Sequence, residues 1–342
     1  MQEPEIAVTV LTGFLGSGKT TLLKQILSTE HGQRIAVIEN EFGQESVDHE
    51  ILVEQTESRI IEMNNGCICC TVRGDLIDTL KELHAKRQQG DLAFDRVVIE
   101  TTGLADPGPV AQSFFMDEEV SSAYLLDAVI TLIDARHGMD QLDREQQARA
   151  QIGFADRILI TKTDLVSESD LQALKARLVG MNGRAAQHVV VQGQIELAKI
   201  FDLRGFNLNA VLDIEPQFLA QCEHSDDADH VHGPDCDHHH HHHQDDVQTF
   251  LYKTDRKFEP AKLEEFLSTV VQVYGVDLLR YKGVLNMNGF DRRVLFQGVH
   301  MLMGTDIGRA WQDDELRESK MVFIGRNLPR QAIENGLTHC LV

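Results

Sequence analysis

Short apolar runs alternate with stretches of helical periodicity through roughly the first 200 residues. The runs are rich in Val, Ile and Leu, as buried strands are, and occupy residues 6–12, 34–39, 97–100, 128–134, 157–161 and 188–191. Between them, residues 20–28, 76–87 and 167–180 space their apolar side chains at helical intervals, and Ser167 with Asp170 forms a capping box. This alternation predicts an α/β domain with a mostly parallel sheet covered by helices on both faces.

The pattern changes after residue 205. Residues 221–246 contain almost no apolar side chain to bury, which is typical of a linker. Strands are then predicted at 247–254, 281–287, 293–303 and 320–328, with an amphipathic helix at 260–275. The 342 residues are therefore expected to form an α/β domain at 1–205, a linker at 206–246 and a smaller α+β domain at 247–342.

Charge and composition narrow the possible partners. The chain has 54 acidic and 32 basic side chains and a net charge of −22, which would repel phosphate backbones and anionic membranes. We therefore expect neither nucleic acid nor a membrane as a partner. The first apolar run follows two glutamates and is interrupted by glycine, so it resembles neither a signal peptide nor a membrane span. A cytoplasmic protein is expected.

The stretch GFLGSGKT, residues 13–20, matches the phosphate-loop pattern G-x-x-x-x-G-K-[ST] between a predicted strand and a predicted helix. In this context, backbone N–H groups converge on nucleotide phosphates, Lys19 neutralises β and γ oxygens, and the Thr20 hydroxyl binds Mg²⁺. The residues expected to bind nucleotide are Gly13, Gly16, Ser17, Gly18, Lys19, Thr20 and Thr21.

A second element of such a site is predicted in VVIETTG. Glu100 ends a predicted strand and can hold Mg²⁺ directly or through water, which makes it a catalytic candidate together with Lys19. The N–H of Gly103 can contact the γ-phosphate and so sense its loss. A strand that ends in Glu is common on its own, and the assignment depends on the phosphate loop.

The stretch ILITKTDL bears on the choice of base. Lys162 and Asp164 follow a buried strand, in an arrangement that resembles the N/T-K-x-D guanine clamp of GTPases. A carboxylate accepts hydrogen bonds from guanine that adenine cannot donate, and a buried, unpaired Asp164 would penalise ATP. GTP is therefore favoured. The alternative is that Asp164 only belongs to the turn before the next helix.

The stretch NNGCICCTVRGDL places three of the six cysteines within four positions, at Cys67, Cys69 and Cys70. This clustering fits a reducing compartment better than a disulfide scaffold. Three thiolates suit zinc or another late transition metal and leave one coordination position open. The alternatives are a redox pair or small buried side chains. Metal binding is favoured because the adjacent Cys69 and Cys70 suit neither alternative well.

The linker offers a second set of metal ligands. It carries six consecutive histidines, with further His, Asp and two Cys around them. Imidazoles are mostly neutral at about pH 7 and bind transition metals. A purification tag is the alternative, but the internal position and acidic flanks favour a native metal-collecting loop. The candidate ligands include His230, His232, His238, His240 and His242.

The motifs GFLGSGKT, IENEFG, GCICC, VVIETTGLADPGP and TKTD, in this order, resemble the CobW-type GTPases. The resemblance continues through LLRYKGVL, RVLFQGV and MVFIG near the C-terminus. It implies a P-loop NTPase fold of the signal-recognition and metallochaperone (SIMIBI) class. It also implies slow GTP hydrolysis coupled to the handling of a transition metal, most often zinc or cobalt.

The resemblance further implies roles for individual residues. The family's C-x-C-C motif falls here on Cys67, Cys69 and Cys70. Its proposed switch I region corresponds to residues 38–48, which makes Glu39, Glu41 and Asp48 candidates for binding Mg²⁺, positioning water or holding the transferred metal. The partner of the hydrolytic water stays open.

These features predict a GTP-hydrolysing chaperone that loads a transition metal into a client protein, which its C-terminal domain would recognise. The expected cofactors are GTP or GDP, Mg²⁺ and Zn²⁺, with Co²⁺ or Ni²⁺ as alternatives. A homodimer that depends on nucleotide or metal is a further expectation. Two other functions stay open: a zinc buffer whose nucleotide site only sets conformation, and a cobalt or nickel insertion factor for cobalamin or metalloenzyme assembly.

Overall fold

Two β-sheets organise the chain in the computed structural model, which describes residues 5–29, 32–39, 73–206, 245–312 and 315–342. The strands of the N-terminal sheet are Ile6–Gly13 (β1), Ile35–Glu39 (β2), Arg96–Glu100 (β3), Tyr124–Asp134 (β4), Arg157–Thr161 (β5) and Ala186–Val190 (β6). Their order is β2-β3-β1-β4-β5-β6, and every pair is parallel. The α/β class is confirmed, and the described strands of this sheet are parallel throughout.

Helices cover both faces of this sheet. They are Lys19–Ser28 (α1), Arg73–Gln89 (α2), Pro107–Met116 (α3), Glu118–Ala123 (α4), Gly138–Arg144 (α5), Gln146–Phe154 (α6) and Glu168–Met181 (α7), with 3-10 turns at Thr163–Leu165 and Leu197–Lys199. The predicted cap of α7 is confirmed, because the Ser167 hydroxyl accepts a hydrogen bond from the Asp170 N–H at 3.2 Å. No helix in the described parts of the chain is long and apolar enough to cross a bilayer.

β4 begins at Tyr124, four residues earlier than the apolar pattern predicts. The pattern was broken by Asp127, whose side chain is nevertheless buried. Its carboxylate pairs with Arg96 at 3.0 Å and accepts the N–H groups of Asp202 and Arg204. Burial raises the pKa of Asp127 and outweighs these partners, which lower it. A charged residue can therefore continue a buried strand when the fold supplies its hydrogen bonds.

The C-terminal sheet is antiparallel. Its strands are Val247–Thr254 (β7), Leu278–Leu285 (β8), Arg292–Val299 (β9), Leu302–Ala310 (β10) and Ser319–Arg326 (β11), in the order β10-β9-β8-β11-β7. Helices Pro260–Tyr274 (α8) and Arg330–His339 (α9) share an apolar core with this sheet. The predicted α+β class of this part is confirmed.

Residues 293–303 were predicted as one strand, and this prediction is wrong. The chain turns between β9 and β10 at His300 and Met301, and the two strands pair as a hairpin. His300 takes a left-handed φ of 51° at the turn. Neither turn residue is Gly, Pro, Asn or Asp, so the sequence carries no ordinary turn signal at this position.

The second face of the C-terminal sheet packs on the first domain. Val247, Leu279 and Ile324 belong to the same apolar cluster as the helices α6 and α7. Within this cluster, Gly153 packs so closely that a Cβ would lie 2.5 Å from a methyl carbon of Leu279. The two sheets are therefore joined by a continuous apolar core.

Ion pairs reinforce this contact. The Arg280 guanidinium lies 2.7 Å from the buried carboxylate of Asp156, which also pairs with Arg184 at 3.1 Å. Asp245 and Asp246 were assigned to the predicted linker, but they pair with Arg177 and Arg149 of the first domain. The chain is thus fixed to the first domain immediately before β7 begins.

Candidate phosphate-binding site

Glycines shape the loop that joins β1 to α1. Gly13 has a φ of 140° and lies so close to β4 that a Cβ would be 2.4 Å from the Leu132 carbonyl oxygen. Gly18 has a φ of 98° and directly precedes α1, where the first N–H groups have no partner within the helix. The Ser17 hydroxyl is buried, and no described group hydrogen-bonds to it. The loop therefore presents donors suited to an anion.

Lys19 is the first residue of α1, and its side chain turns back into the loop. Only 9% of the residue is exposed. Its Nζ donates to the Gly13 carbonyl at 2.8 Å and lies 3.4 Å from the Phe14 carbonyl oxygen. The ammonium thus lies within the curve of the loop, where it can neutralise phosphate oxygens.

A hydroxyl and a carboxylate meet beside the loop. The Thr20 hydroxyl donates to Glu100 Oε1 at 3.1 Å, and Glu100 is 8% exposed at the end of β3. Glu39 ends the neighbouring strand β2 and stands in register with Glu100. Oxygen donors of this kind suit Mg²⁺, so the residues present fit that ion.

The segment after β3 packs directly on the phosphate loop. The Thr101 hydroxyl donates to the Thr12 hydroxyl at 2.8 Å, and the Thr101 N–H donates to the Leu11 carbonyl at 2.9 Å. A Cβ at Gly103 would lie 2.6 Å from the Leu15 backbone nitrogen. Only glycine fits this close approach. A movement of Gly103 toward Leu15 would therefore displace the phosphate loop.

Residues of the predicted guanine clamp contact the phosphate loop from the other side. Lys162 has a φ of 54°, and its Nζ donates to the Gly16 carbonyl and to Asp134, both at 2.8 Å. The Thr161 hydroxyl donates to the Ser17 carbonyl at 2.8 Å. The residues of the predicted clamp are therefore joined to the phosphate loop by direct hydrogen bonds.

Asp164 lies in the 3-10 turn Thr163–Leu165, and its side chain is exposed. The penalty against ATP that was expected from an unpaired carboxylate therefore requires a bound base that covers Asp164, and it stays a prediction. Discrimination against ATP would have to rest on hydrogen bonds that Asp164 accepts once a base covers it.

Two residues of this site were missed from the sequence. Asp134 ends β4 and receives Lys162, and Gln151 of α6 donates to the carbonyls of Gly103 and Ala105. Asp134 could have been noticed, because it ends a buried apolar run at the edge of the sheet where the motif residues also lie. Gln151 belongs to no motif, and its neighbours give no signal.

Comparison with known families agrees with this geometry. The model of the CobW/HypB/UreG nucleotide-binding domain matches residues 7–189, and the model of the cobalamin synthesis protein CobW C-terminal domain matches residues 247–341. The chain belongs to the CobW family. Its P-loop fold and the resemblance found in the sequence are thereby confirmed.

Individual CobW relatives cover almost the whole chain. The zinc chaperone YjiA of Escherichia coli is 41% identical over 96% of both chains, and the zinc chaperone CobW of Pseudomonas aeruginosa is 34% identical over 98% of this chain and 92% of that protein. The zinc-regulated GTPase metalloprotein activator 1 of Schizosaccharomyces pombe is 30% identical over 95% and 83%. A crystal structure of the Zn(II)-bound YjiA GTPase from E. coli superimposes with a TM-score of 0.78, covering 99% of this chain and 100% of that one.

Several predicted metal ligands of this CobW protein lie outside the described residues. They are Glu41, Asp48, Cys67, Cys69, Cys70, His230, His232, His238, His240 and His242. Within the described ranges, no group of three or more His, Cys, Asp or Glu side chains is arranged to hold a metal ion. The predicted transition-metal ligands therefore stay predictions.

Proposed function

We propose that this CobW-family protein hydrolyses GTP slowly and couples the nucleotide cycle to the delivery of zinc to a client protein. The observation that carries the proposal is the Thr20–Glu100 pair beside a complete phosphate loop, in a chain 41% identical to a zinc chaperone over 96% of its length. The clamp residues Thr161, Lys162 and Asp164 favour GTP over ATP.

The described residues have separable tasks in hydrolysis. Lys19 holds a positive charge in the loop, where negative charge develops on the phosphate oxygens during transfer. Thr20 and Glu100 would hold Mg²⁺, which neutralises β and γ oxygens when bound. The Gly103 N–H meets the γ-phosphate. Slow intrinsic turnover is expected from the resemblance to CobW-type GTPases, and the residue that positions the hydrolytic water stays open.

Cys67, Cys69 and Cys70 would carry the zinc cargo. They lie in the chain between Glu39, which is in register with Glu100, and α2, which begins at Arg73. Because Glu39 ends the strand beside Glu100, we expect loss of the γ-phosphate to change the metal affinity of the three thiolates. A thousandfold change in affinity requires about 4 kcal/mol of coupling, and bound metal must then change nucleotide affinity by the same factor.

The zinc assignment and the coupling can be tested by metal titration. Zn²⁺, Co²⁺ and Ni²⁺ are titrated into protein lacking residues 221–244, with GDP or a non-hydrolysable GTP analogue bound. Asp245 and Asp246 are retained because they pair with Arg177 and Arg149. The titrations are repeated with Cys67, Cys69 and Cys70 changed to serine. Cys340→Ser serves as the control, because Cys340 is a free, buried cysteine of the C-terminal domain.

Zinc that binds through the three cysteines, with an affinity that depends on the nucleotide, would support coupled delivery. Zinc affinity that ignores the nucleotide would instead indicate a buffer. Tighter nucleotide-dependent binding of Co²⁺ or Ni²⁺ would point to an insertion factor for those metals. Loss of zinc in Cys340→Ser alone would refute the assignment to the three clustered cysteines.

A further inference from the structure

Gln151 is a buried polar residue that no motif explains. It lies on α6 with 1% of its surface exposed. Its Nε2 donates to the Gly103 carbonyl at 3.1 Å and to the Ala105 carbonyl at 2.9 Å. Both hydrogens of its amide are thus directed to the segment that follows β3.

The orientation of this amide is fixed by chemistry. If the amide were flipped, Oε1 would face the two carbonyl oxygens, and neither carbonyl would receive a hydrogen bond from Gln151. The helix turn that carries Gln151 is itself held, because the Thr131 hydroxyl of β4 donates to the Gln151 carbonyl at 2.8 Å. Gln151 therefore links the rigid sheet to the segment around Gly103.

The segment around Gly103 needs such a link. It lies between the end of β3 and the start of α3, and its ladder contacts end at Thr101. The turn that follows is closed by a single backbone bond, from the Ala105 N–H to the Thr102 carbonyl at 3.1 Å. Gly103 itself packs against the Leu15 backbone of the phosphate loop. A displacement of about 1 Å in such a position can cost about a hundredfold in rate.

We propose that Gln151 is a positioning residue for the GTP reaction, which holds the Gly103 backbone where its N–H can meet the γ-phosphate. The inference rests on the proposed function, since it requires that GTP binds at this loop. GDP has no γ-phosphate, so Gln151 contributes to binding of GTP and to its hydrolysis and little to binding of GDP. A merely structural glutamine would affect both nucleotides equally.

The test compares Gln151→Met with Gln187→Met in the full-length protein. Methionine keeps the length of the side chain and removes both donors. Gln187 is a matched control, because its Nε2 also donates to a backbone carbonyl, that of Lys175 at 3.1 Å. The Oε1 atoms of Gln151 and Gln187 are both buried without a hydrogen bond among the described residues. The readouts are kcat and KM for GTP, and the Kd values of GDP and of a non-hydrolysable GTP analogue.

Gln151→Met is expected to lower kcat and the affinity for the analogue by about 10- to 100-fold, while the affinity for GDP changes by less than about twofold. Gln187→Met is expected to leave all these constants within about twofold of the parent values. If Gln151→Met does not fold, Gln151→Leu replaces it, because leucine also removes both donors and places no charge in the buried site. The same selective loss is expected.

If the parent protein hydrolyses GTP, two results for Gln151→Met would overturn this inference and leave the proposed function standing. They are equal losses of affinity for GDP and the analogue, and no loss at all. A parent protein that bound no GTP would overturn both. Measuring the parent first therefore separates the two failures.

Discussion

At the residue scale, Asp164 offers a direct test of base choice. Asp164→Asn removes a carboxylate that can accept two hydrogen bonds from guanine, so we expect affinities for GTP and GDP to fall by about 10- to 100-fold. Selectivity against ATP should fall as well. The measurement is competition binding of the three nucleotides. Asp140→Asn is the control, since Asp140 is an exposed acid on α5 paired only with Arg144 in the described structure.

Unchanged affinities in Asp164→Asn would mean that Asp164 only shapes the 3-10 turn Thr163–Leu165. That alternative was left open by the sequence. The exposed carboxylate fits both alternatives, binding of guanine and shaping of the turn. The geometry of Lys162 and Thr161 supports the clamp.

The sequence predicted the residues that belong to short motifs with a fixed internal spacing. Lys19, Thr20 and Lys162 were found in this way, and the structure brings them to one edge of the sheet. Gln151 could not be found, because it belongs to no motif and contacts Gly103 only in the folded protein. Such a pairing depends on how α6 docks on the sheet, and local patterns contain no information about docking.

At the element scale, the N-cap of α7 makes a measurable contribution to the free energy of unfolding. Ser167→Ala leaves the Asp170 N–H without its acceptor, and we expect a loss of about 1 kcal/mol in the free energy of unfolding. Urea denaturation followed by circular dichroism measures this change. Ser122→Ala is the control, because the exposed Ser122 hydroxyl donates to a carbonyl within α4 and caps no helix start. A loss as large in the control would refute the capping explanation.

Elements were predicted well where periodicity agreed with burial. β7 occupies the residues predicted for it, and α8 ends one residue earlier than predicted. The hairpin of β9 and β10 was missed, because apolar residues continue through the turn at His300. This left-handed histidine is stabilised by contacts from other elements, including the ring of Phe154 at 5.2 Å between centroids. Tertiary packing supplies a turn that local sequence does not signal.

At the scale of the whole molecule, the Asp156–Arg280 pair joins the two domains. Arg280 also donates to the carbonyls of Phe154 and Gly205. Burial lowers the pKa of Arg280 to about 10, although the neighbouring Asp156 carboxylate acts to raise it. Burial alone would raise the pKa of Asp156, but Arg280 and Arg184 hold it below its ordinary value. Both groups therefore stay charged at neutral pH.

Arg280→Met should be strongly destabilising. It removes one partner of a buried carboxylate, and we expect the free energy of unfolding to fall by about 3 to 5 kcal/mol. The control is Arg330→Met, which breaks the exposed pair of Arg330 with Glu334 and should cost at most about 0.5 kcal/mol. Guanidinium denaturation of both variants gives the comparison. Similar small losses in both would show that the interdomain pair contributes little.

His300 gives the domain contact a pH dependence. Burial against α3 lowers its pKa, and Arg326 lowers it further, while Asp106 and the Gly275 carbonyl act in the opposite direction. The unfolded chain then binds a proton at a higher pH than the folded protein does. Stability contributed by neutral His300 is present above the ordinary histidine pKa, about 6.5, and is lost as the pH falls below it.

We therefore expect the free energy of unfolding of the parent to fall more steeply between about pH 7.5 and about pH 5.5 than that of His300→Gln. Urea denaturation at both pH values measures the difference. The exposed His339 provides the control, and His339→Gln should follow the parent. Parallel pH profiles for the parent and His300→Gln would contradict the assignment.

Both ends of the segment 207–244 are fixed to folded structure. On one side, the Phe206 ring lies under the Arg280 guanidinium at 4.0 Å, and on the other, Asp245 pairs with Arg177. A chain segment fixed at both ends can lengthen at little cost, since doubling a loop adds only about 0.6 kcal/mol of closure entropy. A protease cut within it would leave two fragments still joined by the buried domain contact. The number of histidines in this segment can therefore change with little effect on the stability of the two domains that it connects.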